Sequence, residues 1–391
     1  MGVTTIAFPK GGTLMHLTRH LAVLASTVLG TAVALAAPAA ASPQSPAPGS
    51  SVVFAQTDEL VANHVVAYDR DASGALTPAG SFATGGAGGR LAGAVVDFTA
   101  SQGALTADRD AGLLYAVNAG SNTISVFDVN GDNLHLAQVI GSGGTFPVSI
   151  TTHGNQVYVL NARDGGTIQG YLRRGDHLEA VPSWHRALGL DPTATPEFTH
   201  TPGQVAFTPN GRQLIVTTKA ASNSILVYAI DQGNDLAAAP VVRGETGTVP
   251  FAVAFDARSH LQVADAGTNA VSTYDVARDG TLTLLGSTAT GQRATCWIAS
   301  SGDLLAASNA GSATVSTLLA TAAGAPTLVT ATAAGPGTVD ASFTPDGRYL
   351  YVQGGGTGRI DAFGVNSDAT LTALGAVPVP NAAGGEGIVA W

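Results

Sequence analysis

The chain has 391 residues, 45% hydrophobic and only 11% charged, with 49 glycines and a formal net charge of −10. That apolar content suffices for a large core, and the acidic balance argues against nucleic acid or anionic lipid as a partner. A single cysteine, Cys296, excludes an intrachain disulfide, so packing must supply the stability.

In chain order, Lys10 and Arg19 come first, ahead of an apolar run from Leu21 to Ala37 and the small residues Ala39-Ala40-Ala41. This pattern predicts a cleaved signal peptide over residues 1–41, with Met15 as an alternative start and Ser42 as the first mature residue. The run is short for a membrane span. A secreted, extracytoplasmic protein is expected, with no membrane span after cleavage. Residues 42–50, SPQSPAPGS, read as a flexible Pro/Ser-rich lead-in.

From Ser51 onward the chain repeats. GLLYAVNAGSNTISVFDV (from Gly112) has counterparts beginning at Ser51, Asn155, Arg212, Ser259, Gly302 and Gly347, seven copies in all. Phe54, Tyr115, Tyr158, Ile215, Gln262, Leu305 and Tyr351 are equivalent positions. Each copy is a hairpin of two apolar strands. Before it, stretches such as VAFTPNG (Val205–Gly211) and ASFTPDG (Ala341–Gly347) supply a leading strand and a Pro/Gly turn. After it comes a fourth strand, as in GTLTLLGSTATG (Gly280–Gly291). Four antiparallel strands in such a repeat make one propeller blade. The expected fold is therefore an all-β, seven-bladed β-propeller over residues 51–391. The first copy lacks a leading strand, and the chain ends on GGEGIVAW (Gly384–Trp391), a leading strand with no blade after it. The C-terminal strand is expected to complete blade one and close the ring.

Two loops that join one blade to the next are enlarged. Residues 85–102 precede blade two, and residues 182–203 precede blade four. Long loops of this kind act as lids or binding loops. The second holds Trp184, His185, Arg186, Glu197 and His200: an aromatic face, a cation, a carboxylate and two bases. Repeat positions at the channel mouth fall on Arg90, Phe146, Gln204, Phe251, Arg293, Asp340 and Glu386. Expected ligand contacts are Arg293, Trp184, Arg186, Phe146, Gln204, Phe251 and Arg90. The proton-transfer candidates are His185, His200, Asp340 and Glu386. Cys296 has mostly apolar sequence neighbours and reads as an inert buried thiol. No metal-binding or phosphate-loop spacing occurs, so neither a metal nor a cofactor is expected.

The recurring LYAVNAGSNTISV type of hairpin, after turns such as TPDGR (Thr344–Arg348), resembles the seven-bladed β-propeller lactonase family with its YVTN-type repeats, which includes 6-phosphogluconolactonase-like enzymes and muconate cycloisomerases. The resemblance implies a ligand site at the mouth, where leading strands begin, and hydrolysis of a sugar lactone or related cyclic ester. It also implies His, Arg and Glu at positions that here hold Phe146, Gly203, Gln204, Lys219, Phe251, Val253 and Ala266. The alternative is a non-catalytic extracellular propeller that binds a small ligand, a glycan or a protein. Under either reading a monomer is expected, with a small molecule or glycan as partner.

Overall fold

The computed structural model describes Gly2 and residues 51–322 and 324–391; the expected signal peptide and lead-in otherwise lie outside the described residues. Seven antiparallel sheets follow one another along the chain, each with its strands in sequence order except for the first. Blade one is built from Ser51–Gln56, His64–Arg70 and Leu76–Ala83, with Ile388–Ala390 as its innermost strand. Ring closure by the C-terminal strand is therefore as the repeat arithmetic requires. Val53, Phe54 and Ala55 pair with Ala390, Val389 and Ile388. The other leading strands are Leu105–Asp108, Pro147–His153, Val205–Phe207, Pro250–Phe255, Thr295–Ser301 and Thr338–Phe343. Blade three departs from four strands: Arg186–Ala187 adds a fifth piece against its third strand, Thr167–Arg174.

Second strands are buried on both faces, as in Leu113–Asn118, where every residue is buried. Each is sandwiched between its own sheet neighbours and the adjacent blades, which accounts for the continuous apolar runs in the sequence. Outer strands alternate or face solvent, as in Leu371–Pro378. Tyrosines stitch blade to blade. Tyr68 donates to the Pro378 carbonyl (2.7 Å) and Tyr171 to the Gly141 carbonyl (2.6 Å), each across a blade boundary.

The two asparagines of the NAGSN motif have separate tasks. Asn118 is buried; its side-chain oxygen accepts from Thr84 (2.6 Å) and Asn63 (3.2 Å), and its NH2 donates to Ser125 (2.8 Å). Asn309 repeats the arrangement in blade six with Thr295 and Ser316. The second asparagine takes the left-handed turn position, at φ 56° for Asn122, a conformation Asn tolerates well. Its side chain then accepts from the next blade's entry: Asn122 from the Phe146 N–H (2.8 Å), Asn223 from the Val249 N–H (3.2 Å) and Asn269 from the Thr295 N–H (3.3 Å). The motif is thus a blade-joining device. Asn118→Ala should lower stability by ~2–4 kcal/mol, because it leaves several buried partners unpaired. Chemical denaturation would measure this, and a loss well under 1 kcal/mol would contradict the assigned role.

Candidate functional site

The residue ahead of five leading strands is left-handed, Phe146, Val249, Ala294, Gly337 and Gly387, as is Gly103, two residues ahead of Leu105. For Phe146, Val249 and Ala294 this is a costly conformation, and such positions gather at functional sites. They mark the mouth, where the first enlarged loop enters. Residues 97–103 run into the axis of the ring and bond to blades on all sides.

Ser101 Oγ donates to the Val148 carbonyl of blade three (2.8 Å). The Gln102 amide acts as a strand residue for blade six, accepting from the Ile298 N–H (2.8 Å) and donating to the Ile298 carbonyl (2.9 Å). The Gln102 N–H donates to the Gly203 carbonyl at the entry to blade four. Trp297 donates its indole N–H to the Ser101 carbonyl (2.6 Å). The Gly103 N–H donates to Glu386, at the entry to blade one's closing strand (3.0 Å). Contacts to blades this far apart require the segment to lie on the axis, so the loop plugs the mouth instead of merely covering it.

Four buried carboxylates and one lysine hold this plug. Asp97 accepts from the N–H groups of Thr99, Ala100 and Ser101 and from the Thr99 hydroxyl, fixing the turn. Asp58 accepts from the Glu386 N–H (2.8 Å), and Asp340 from the Ile388 N–H (3.3 Å). Asp340 and Glu386 are neighbours whose interaction draws the Asp340 carboxyl down and pushes the Glu386 carboxyl up. Burial pushes all four carboxyl groups up, Asp58 to about 7. Glu386 is raised further by the neighbouring charges of Asp340, Asp97 and Asp58. Lys219 is also left-handed, at φ 49°. Its ammonium donates to the carbonyls of Ala100 (2.6 Å) and Phe198 (2.7 Å) and to the Thr201 hydroxyl (3.0 Å), tying both enlarged loops together. Burial lowers its pKa to about 7 despite the nearby Asp97, Cys296 and Glu197. Among the described residues no group of three or more His, Cys, Asp or Glu is arranged to hold a metal ion.

Beside the plug lies a cleft of about 250 Å³, lined by residues of the 93–100 loop, Phe198 and the mouth ends of blades five and six. Phe251 and Trp297 form one wall, with ring centroids 5.0 Å apart. Cys296 lies in the lining, and burial pushes its thiol up to about 12.

The sequence-predicted residues divide into three groups. Gln204, Phe251, Asp340 and Glu386 converge on the plug or the cleft; Gln204 accepts from the Val253 N–H (2.6 Å). Three others are at the mouth but turned away from the cleft. Phe146 is buried beneath the Arg163 guanidinium. Arg90 bonds the Ala94 carbonyl and lies over Phe98. Arg293 is exposed and bonds the Gly311 carbonyl. The second enlarged loop separates its members. Trp184 is buried on Tyr158 and donates to Asp235 (3.2 Å), and Arg186 binds the Leu236 and Ala237 carbonyls. The expectation that these two line the mouth is corrected. Pairing of Arg186–Ala187 with blade three draws them onto the turn between the third and outer strands of blade four, where they act as packing. His185 is exposed. His200 reaches a separate polar cleft of about 130 Å³ beside Arg163 and Glu197. Asp58, Asp97, Gln102 and Trp297 were not legible as site residues from sequence, and Lys219 only as a position that the resemblance implies.

The architecture is that of a seven-bladed β-propeller. Its sequence matches the family model described as "Lactonase, 7-bladed beta-propeller" over residues 242–387, from the outer strand of blade four to the closing strand. The same fold is found in a protein assigned as a 6-phosphogluconolactonase from Bacteroides uniformis (17% identity, TM-score 0.70, covering 87% of this chain and 98% of that one). It is also found in the periplasmic gluconolactonase of Pseudomonas aeruginosa (16% identity, TM-score 0.67, 87% and 98%). A Lactobacillus plantarum protein is similar again (19% identity, TM-score 0.67, 87% and 98%). No curated protein matches the sequence.

Proposed function

We propose that this chain is a small-molecule-binding propeller on a lactonase-type scaffold, and that its binding does not lead to hydrolysis. One observation carries the reading. Residues 97–103 fill the axis, and their hydrogen bonds engage the carboxylates and the lysine that would otherwise be free to act on a lactone. A general base must reach the proton it removes, and Asp340 and Glu386 lie beneath the plug, both buried and each accepting from a backbone N–H group.

Lactone hydrolysis remains the second reading. It is favoured by the family match, which spans the cleft residues of blades five and six. The two readings diverge in a pH-stat assay of purified protein with gluconolactone and 6-phosphogluconolactone. The expected result is no turnover above the buffer rate, beside a melting shift with at least one small molecule. Saturable turnover that Asp340→Asn abolishes would replace the binding reading with the hydrolytic one.

A further inference from the structure

We propose that the cleft between residues 93–100, Phe198 and blades five and six binds an uncharged, ring-shaped apolar molecule, such as a monocyclic aromatic or an alkyl-substituted lactone. This deepens the binding reading above and rests on it.

The lining decides the class. Val96, Phe198, Phe251, Ala294, Trp297 and Ala310 present apolar surface. The tilted Phe251–Trp297 pair, 59° between planes, offers both a ring face and a ring edge, the two contacts that aromatic partners prefer. Small side chains at Ala100, Ala294 and Ala310 leave the space open. Its volume of about 250 Å³ is ample for one substituted ring, since a cavity of roughly 150 Å³ accepts benzene. Two lining residues, Ala100 and Ala294, hold left-handed backbone at φ 47° and 53°. Such strain persists only where the surroundings fix it.

The charged groups nearby are all engaged elsewhere. Both Asp97 oxygens accept from the plug's own N–H groups. The Lys219 ammonium lies over the Phe251 ring, 5.3 Å from its centroid, with three acceptors already around it. Arg293 is exposed and bonds the Gly311 carbonyl. A sugar acid or phosphate entering this cleft would lose hydration without gaining a partner. A neutral ring loses little hydration and removes apolar wall from water.

The test uses the full propeller, residues 51–391, with indole and γ-nonalactone as neutral probes and gluconate and 6-phosphogluconate as charged ones. Binding is read by melting shift and by titration calorimetry. At least one neutral probe should raise the melting temperature and give a saturable binding heat, and the charged probes should do neither. Val95 is 71% exposed on the rim of the cleft, so Val95→Glu should leave the fold intact and weaken neutral binding at least fivefold. Ala310→Phe, which fills the cleft, should weaken it tenfold or more. If only the charged probes bind, the ligand class is wrong and the binding reading survives. If no probe binds, both fall. If neutral probes bind but neither variant weakens them, the site is misplaced.

Discussion

Deleting residues 385–391 should leave a ring that cannot close and a protein that aggregates or melts far below the intact chain. The closing strand is short, but each residue is engaged. Ile388, Val389 and Ala390 are buried. Burial of the isoleucine and the valine contributes ~1.5–3 kcal/mol each. The Trp391 ring meets Phe54 edge-on at 6.2 Å, and the Trp391 backbone N–H donates to the Val52 carbonyl (2.7 Å). Arg109 caps the strand by donating to the Ala390 carbonyl (2.5 Å). Removal also takes away Glu386, so the Gly103 N–H and Asp340 lose their partner inside a dry core. It exposes Ser51–Gln56 as an open edge, which invites pairing with another chain. The combined loss is on the order of 5 kcal/mol or more, comparable with the whole stability of an ordinary domain. Ile388→Ala, at ~2–5 kcal/mol, separates the packing contribution from edge exposure. A truncated protein that stays monomeric with an unchanged melting temperature would refute closure by this strand.

The parts of the molecule that repeat were legible in the sequence. Hairpin, turn and spacing recur seven times, and the missing leading strand of the first copy pointed to the last residues of the chain. The functional centre does not repeat. Asp97 and Lys219 lie far apart in sequence, and each departs from the blade pattern: one sits in an insertion, the other in a short 3₁₀ turn at Lys219–Ala221. Their meeting depends on the path of residues 97–103 through the axis, which no periodicity encodes. The same limit explains Trp184 and Arg186. Loop length showed that residues 182–203 are an insertion, but not that two of them pair with blade three. The resemblance puts Lys219 among the family's functional positions, but a lysine there gives no hint that backbone carbonyls would surround it. Register put Asp340 and Glu386 near the starts of leading strands, Thr338–Phe343 and Ile388–Ala390; their burial beneath a loop belonging to another blade is not in the repeat.

Stability should fall as pH rises from about 5 toward 7.5, the reverse of the usual acid-denaturation trend, and Glu386→Gln should remove much of that fall. Asp58, Asp97, Asp340 and Glu386 all bind protons more tightly in the folded chain than in the unfolded one. Across the interval between ordinary carboxylates and about 7, where Asp58 titrates, the folded state therefore holds protons that the unfolded state has released. Raising pH through that window draws the equilibrium toward the unfolded chain. Lys219 has the opposite sense. Its pKa is lowered to about 7, so between about 7 and the ordinary lysine value it is the unfolded chain that holds the extra proton, and stability recovers as pH rises. The two contributions place a minimum near neutrality. Each tenfold change in proton affinity is about 1.4 kcal/mol, so a drop of ~2–4 kcal/mol from pH 5 to 7.5 is expected. A glutamine at 386 keeps an oxygen for the Gly103 N–H while removing the group whose ionisation its acidic neighbours most oppose. The variant should be more stable than the parent at pH 7.5 by ~1–2 kcal/mol and nearly equal to it at pH 5. A parent protein whose stability climbs steadily from pH 5 to 7.5, or a Glu386→Gln variant that tracks it at both pH values, would show that these carboxyl groups do not hold protons in the folded ring.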